Sequence, residues 1–141
     1  MKKNRIFSIS IVILPLSSCF ESSEKDKIQV VFSYSEAKRL SVDHEKDIFV
    51  IIDLWSSSNY RTNEILSNPK LVSMRKSILV LVLNLDDSEF DRTYEELPEN
   101  LRHLVDMKKT PLYLLMNKNG NILKGPIEYA PSDTIVSRMK M

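Results

Sequence analysis

The chain has 141 residues, with 20 Lys and Arg against 19 Asp and Glu, a net charge of +1, one cysteine and two histidines. That length is one domain with material for a single packed core, and the near-neutral charge gives no reason to expect nucleic acid as a partner. His44, His103 and the one cysteine lie far apart in sequence, which excludes a metal centre of zinc-site spacing.

At the N-terminus, "MKKNR" is a short basic segment, "IFSISIVILPL" an apolar one and "SSC" a small-residue exit. These are the three regions of an export signal, too short for a comfortable membrane span. Leu16-Ser17-Ser18-Cys19 resembles the lipobox of bacterial lipoproteins, with Leu three residues before Cys and two small residues between. The resemblance implies a diacylglyceryl thioether on Cys19, cleavage just before it and acylation of the new N-terminus. An ordinary secretory signal that happens to contain a cysteine is the other reading; the only cysteine falling where a lipobox needs it favours the lipoprotein. Residues 1–18 are then signal peptide, 19–27 the acylated cysteine and its tether, and 28–141 the domain. Cleavage removes Lys2, Lys3 and Arg5 and no carboxylate, so the net charge falls from +1 to −2. Acyl chains, not electrostatics, are expected to hold such a protein at the membrane. Phe20 rather than Asp after the cysteine implies, by lipoprotein sorting, the periplasmic face of the outer membrane in a cell that has one. "FESSEKDK" is polar and without periodicity, as a tether would be.

Within the domain, "IQVVFS" predicts a short β-branched strand. "SEAKRLSVDHEKD" predicts a helix with Ser35 as N-cap and Ala37, Leu40 and Val42 on its buried side. "IFVIIDLW" and "ILVLVLNLD" are continuous apolar runs, which marks strands covered on both faces. Between them "NYRTNEILSNPKLVSMRKS" reads as a helical stretch interrupted near Pro69. "DDSEFDRTYEE" reads as a solvated loop whose acids do not have the spacing of a calcium hand. "YEELPENLRHLVDM" predicts a third helix, with Leu97, Leu101, Leu104 and Val105 at three- and four-residue spacing. "PLYLLMN" and "NILKGPI" flank "KNG", a hairpin signal that needs positive φ at Gly120. "PSDTIVSRMK" closes with a short helix. The predicted order is β-α-β-α-β-α-β-β-α, an α/β domain with a mixed sheet between helices.

That order, with "VIIDLW" running into a polar stretch, "ILSNPKL", and "KKTPLYLLMNKNGNIL", resembles the thioredoxin-like family over about residues 28–140. In that family an Asp–apolar–aromatic strand end precedes the active-site turn, and a Thr-Pro with a cis bond opens the fourth strand. The resemblance makes Asp53, Trp55, Ser56, Ser57, Ser58, Asn59, Tyr60, Arg61 and Thr62 the equivalent of that turn, without its Cys-x-x-Cys pair. Aligned on Asp53 and Trp55, the lost cysteines fall at Asn59 and Thr62; aligned on the Ser-Asn-Pro bend, they fall at Trp55 and Ser58. Neither register supplies a thiol, and disulfide exchange needs a thiolate. No catalytic residue, cofactor or metal is therefore expected.

For the residues that remain, Asn59 or a preceding serine suits a helix N-cap. Asp53 suits a strand-end carboxylate bonded to a neighbour or to water. Trp55 suits packing, and Tyr60 and Arg61 an exposed turn able to form a contact surface. Thr110 and Pro111 carry the most specific implication: a backbone edge where an extended peptide adds as a strand. The expected protein is a lipid-anchored, redox-inactive module of the bacterial envelope that binds an extracytoplasmic protein or peptide. Its alternatives are an oxidoreductase homologue using a partner's cysteine or glutathione, and a structural lipoprotein of pilotin or immunity type.

Overall fold

The two continuous apolar runs become the centre of the sheet. In the computed structural model, which describes residues 27–140 and only the backbone of residues 55–60, they form β2 (Asp47–Asp53) and β3 (Ile78–Asn84). These strands pair in parallel over their whole length, from Asp47 opposite Ile78 to Asp53 opposite Asn84. β1 (Val30–Val31) joins β3 in parallel, β4 (Leu112–Met116) lies antiparallel to β2, and β5 (Ile122–Ile127) antiparallel to β4. The five-stranded mixed sheet has the order β1-β3-β2-β4-β5. The export segment, Cys19 and the tether as far as Asp26 lie outside the described residues.

Because a strand points successive side chains to opposite faces, each apolar run feeds two cores. Val50, Ile52, Leu81, Leu83, Leu112 and Leu114 face one side, where they meet Ala37, Leu40, Leu101 and Leu104. Phe49, Ile51, Val80, Val82, Tyr113 and Leu115 face the other, against Ile65, Leu71, Ile135 and Val136. The helices of the first layer are α1 (Tyr34–His44), α4 (Phe90–Glu96) and α5 (Glu99–Asp106). Those of the second are α2 (Trp55–Leu66), α3 (Pro69–Ser73) and α6 (Ser132–Met139). Each fully buried Leu, Ile or Phe contributes about 1.5–3 kcal/mol against its exposed state, which is why the runs, and not the short β1, organise the sheet.

The boundaries depart from expectation in four places, each for a local reason. Helix α1 is capped by Ser33, whose hydroxyl accepts the Glu36 amide, while Ser35 donates to Glu96. On α1 the small Ser41 is buried and Val42 is half exposed, because residue 41, not 42, falls one turn after Ala37. The interruption expected near Pro69 is met, at Asn68-Pro69 between α2 and α3. The third expected helix is instead two. Pro98 disfavours helical backbone at the residue before it, and Leu97 is extended (φ −71°, ψ 143°). Part of the acidic segment expected to be a loop is thereby the helix α4.

Asn68 is the joint between α3 and α6. Its side-chain oxygen accepts the Lys70 amide at 2.9 Å and its amide nitrogen donates to Asp133 at 2.9 Å, with the residue buried. Asn68→Ala removes a cap and the donor to the Asp133 carboxylate, so it is expected to cost about 1–2 kcal/mol in denaturant unfolding. Asn68→Asp, which keeps the cap but sets two carboxylates together, should be intermediate or worse if the Asp133 bond matters. Wild-type stability in Asn68→Ala would refute the joint.

Candidate functional site

The ends of β2 and β3 and the start of β4 converge at one end of the sheet, with Ile52 opposite Leu112 and Asp53 opposite Asn84. Asp53 closes β2 and is buried. One carboxylate oxygen accepts the Leu54 amide at 2.8 Å; the other accepts the Thr62 hydroxyl, at the longer distance of 3.4 Å. The expected bonding of a strand-end acid to a neighbour is met, and the neighbour is Thr62.

The chain beyond Asp53 does not form a turn. Helix α2 begins at Trp55, with Leu54 as an N-cap that has no side-chain cap. The serines and Asn59, expected to cap, are helical, and no Gly or Pro interrupts the run before Pro69. Ser and Asn favour caps only where a helix lacks its start; here the strand runs directly into the helix, and Asp53 takes the first amide. Trp55 and Ser58 therefore belong to the first turn, while Asn59 starts the second and Thr62 lies about two turns in. Of the residues 55–60 only the backbone is described, so the packing expected of Trp55 and the contact expected of Tyr60 lie outside the described side chains. Arg61 is not on an exposed turn. It is half-buried in the helix, its guanidinium 3.9 Å from the centroid of the Tyr129 ring.

Two tyrosines that no sequence motif singles out also belong to this site. Tyr113, in the middle of β4, is fully buried, and its hydroxyl has no hydrogen-bond partner among the described residues. Burial pushes its pKa up to about 12, and the Asp53 charge adds to the shift. Arg61 stands near enough to oppose it without reaching the geometry of a hydrogen bond. Tyr129, mostly exposed, carries the Arg61 stack. The only sequence signal for Tyr113 is its hydroxyl in an otherwise aliphatic strand, "PLYLLM".

The Thr110–Pro111 bond is cis, as the resemblance implies, and a second cis bond joins Gly125 and Pro126. Thr110 borders an open hollow of about 380 Å³ shared with Leu54, Leu85, Phe90, Val105, Asp106 and Lys108. Its wall is mainly apolar, and Leu54 is more than a third exposed. Asp53, Thr62, Arg61, Tyr113 and Tyr129 thus form a polar cluster under the start of α2, and Leu54 links it to the hollow beside Thr110. No grouping of three or more metal-ligating side chains occurs among the described residues. The chain matches no family model, and comparison with curated proteins finds no match either.

Proposed function

We propose that this protein is a lipid-anchored, thioredoxin-like module of the bacterial envelope that binds an extended apolar peptide or protein segment and has no redox chemistry of its own. The observation that carries the reading is the apolar hollow between Leu54, Leu85, Phe90 and Thr110. It lies where the thioredoxin-like resemblance implies peptide capture, and it requires shape and apolar area, not sulfur. The mixed sheet and its helices are compatible with that fold, and Leu16-Ser17-Ser18-Cys19 supports the anchor. The start of α2 favours the register that places the lost cysteine pair at Trp55 and Ser58. A thiolate gains most from the first helical turn, and neither residue supplies one.

Arrayed extended peptides provide the test. Retained peptides should carry apolar residues at alternate positions. Leu85→Asp, which puts a charge into the hollow, and Thr110→Arg, which fills its rim, should each weaken their binding about tenfold or more, roughly 1.4 kcal/mol. Thr110→Arg should unfold as the wild type does. Insulin reduction by dithiothreitol should run at the buffer rate in the presence of the protein. Peptides that bind both variants like the wild type would move the contact away from the hollow, and accelerated reduction would restore the oxidoreductase reading.

A further inference from the structure

The end of the sheet opposite the hollow is basic. There β2 and β3 begin, with Asp47 opposite Ile78, and β4 ends, with Met116 opposite Ile48. Lys27, Lys46, Arg75 and Lys76, with His44, surround an open hollow of about 510 Å³ that, among the described residues, no carboxylate lines. Lys27 and Lys76 are exposed, Lys46 and Arg75 half-buried, and Arg75 is oriented by a bond to the Val72 carbonyl. Of the described acids adjacent in sequence to these residues, neither lines the hollow. Glu45 reaches toward Lys118, 3.9 Å away, and Asp47 is half-buried at the strand start. At the other end, Asp86, Asp87, Glu89 and Asp91 follow β3 into α4. Arg92, Lys108 and Lys109 offset part of that acidity, and the described charge still runs from basic to acidic along the strands.

From this polarity we infer that the basic end is a docking face for anionic phospholipid headgroups, which turns the Thr110 hollow away from the membrane. The place where the chain enters the fold decides between a membrane and any other acidic partner. Lys27, the first described residue, is itself part of the basic hollow. Cys19 lies eight residues before it, so a fully extended tether spans at most about 28 Å. The inference rests on the lipid-anchor reading: an acylated Cys19 tethers the domain to the bilayer from this end. The acyl chains supply attachment, and the lysines supply orientation. Near an anionic surface each such cation shifts the balance about fivefold, so three of them shift the ratio of docked to undocked domain roughly a hundredfold.

The test uses full-length protein, processed in bacteria and reconstituted into vesicles of phosphatidylcholine with or without phosphatidylglycerol. A dye is attached through Ser77→Cys or Gln29→Cys at the basic end, or through Ser88→Cys at the acidic end, and is quenched by a headgroup-bound quencher. On anionic vesicles at low salt the Ser77→Cys and Gln29→Cys dyes should be quenched several-fold more than the Ser88→Cys dye. The difference should vanish on phosphatidylcholine alone, in ~1 M salt, where the screening length is about 3 Å, and in the triple variant Lys27→Glu, Lys46→Glu, Lys76→Glu. Equal quenching at both ends of a lipidated protein, or a difference that survives charge reversal, overturns the docking face alone. So does protection of the basic end that appears only when an acidic protein is added. A Cys19 that takes the dye is not lipidated, and that result removes the anchor reading and this inference together.

Discussion

Gly125→Ala is expected to lower the unfolding free energy by about 2–4 kcal/mol and the melting temperature by about 10–20 °C. Gly125 has φ +87°, a backbone conformation that side chains rarely adopt, and a Cβ built there would stand 2.7 Å from the Tyr113 carbonyl oxygen and 3.1 Å from Leu114. Neither obstacle is the yielding tip of a long side chain. Both belong to β4, the strand that carries Tyr113 into the site. The hairpin supplies its own control. Gly120 has nearly the same φ, +88°, but its nearest atom is the Tyr34 hydroxyl at 3.7 Å. Gly120→Ala should meet the conformational penalty alone, about 1–2 kcal/mol. The difference between the two variants measures how closely β5 is drawn against β4, where the strand register shifts between Tyr113 and Leu115. Equal losses in chemical denaturation would mean that β5 can retreat from β4 and that the close approach is not required.

The parts of the fold legible in the sequence are those where one physical effect dominates. Residues 48–52 and 78–83 are apolar at every position, and no solvent-facing element can be built from such a run, so a strand covered on both faces is the direct reading. Gly120 was legible for a similar reason, because Asn-Gly between two strands has one common solution. Boundaries failed where two local preferences competed. Ser33 and Ser35 both suit a cap, and only the path of the chain out of β1 selects Ser33. The serines after Trp55 read as caps by composition, yet the helix had already started, because Asp53 receives the amide of Leu54. Pro98 was visible, but the regular spacing of Leu97, Leu101 and Leu104 masked it: Leu97 is buried from outside α5. The polar cluster was half legible. Asp53 and Thr62 were candidates because the resemblance indicated that stretch, whereas Tyr113 and Tyr129 reach it from β4 and from beyond β5. Sequence distance hides such a meeting, which only sheet pairing creates.

Tyr113 gives the other large effect, and its size grows with pH. Its hydroxyl is buried without a partner among the described residues, with Asp53 close by. In the unfolded chain the group ionises near pH 10; in the folded protein burial pushes the pKa up to about 12. Below about pH 10 both states hold the proton and the group adds no slope. Between about pH 10 and 12 the unfolded chain releases the proton first, so stability falls as pH rises, by about 2–3 kcal/mol in all. Tyr34 and Tyr94 are also shifted upward, so the wild-type curve contains more than one contribution, and comparison with Tyr113→Phe isolates this one. At pH 7 the variant should be as stable as the wild type or up to about 1 kcal/mol more stable, because it removes an unpaired polar atom from the core while the ring remains. From pH 10 upward its advantage should widen by the amount that the tyrosine loses. Urea titrations of both proteins at pH 7, 10 and 11.5 give the three differences needed. A loss of more than about 1 kcal/mol in Tyr113→Phe at pH 7 would show that the hydroxyl is held by a partner. An advantage that stays constant with pH would show that Tyr113 does not carry the alkaline transition, and Asp53 and Arg61 would then stand beside a group that never titrates in the folded protein.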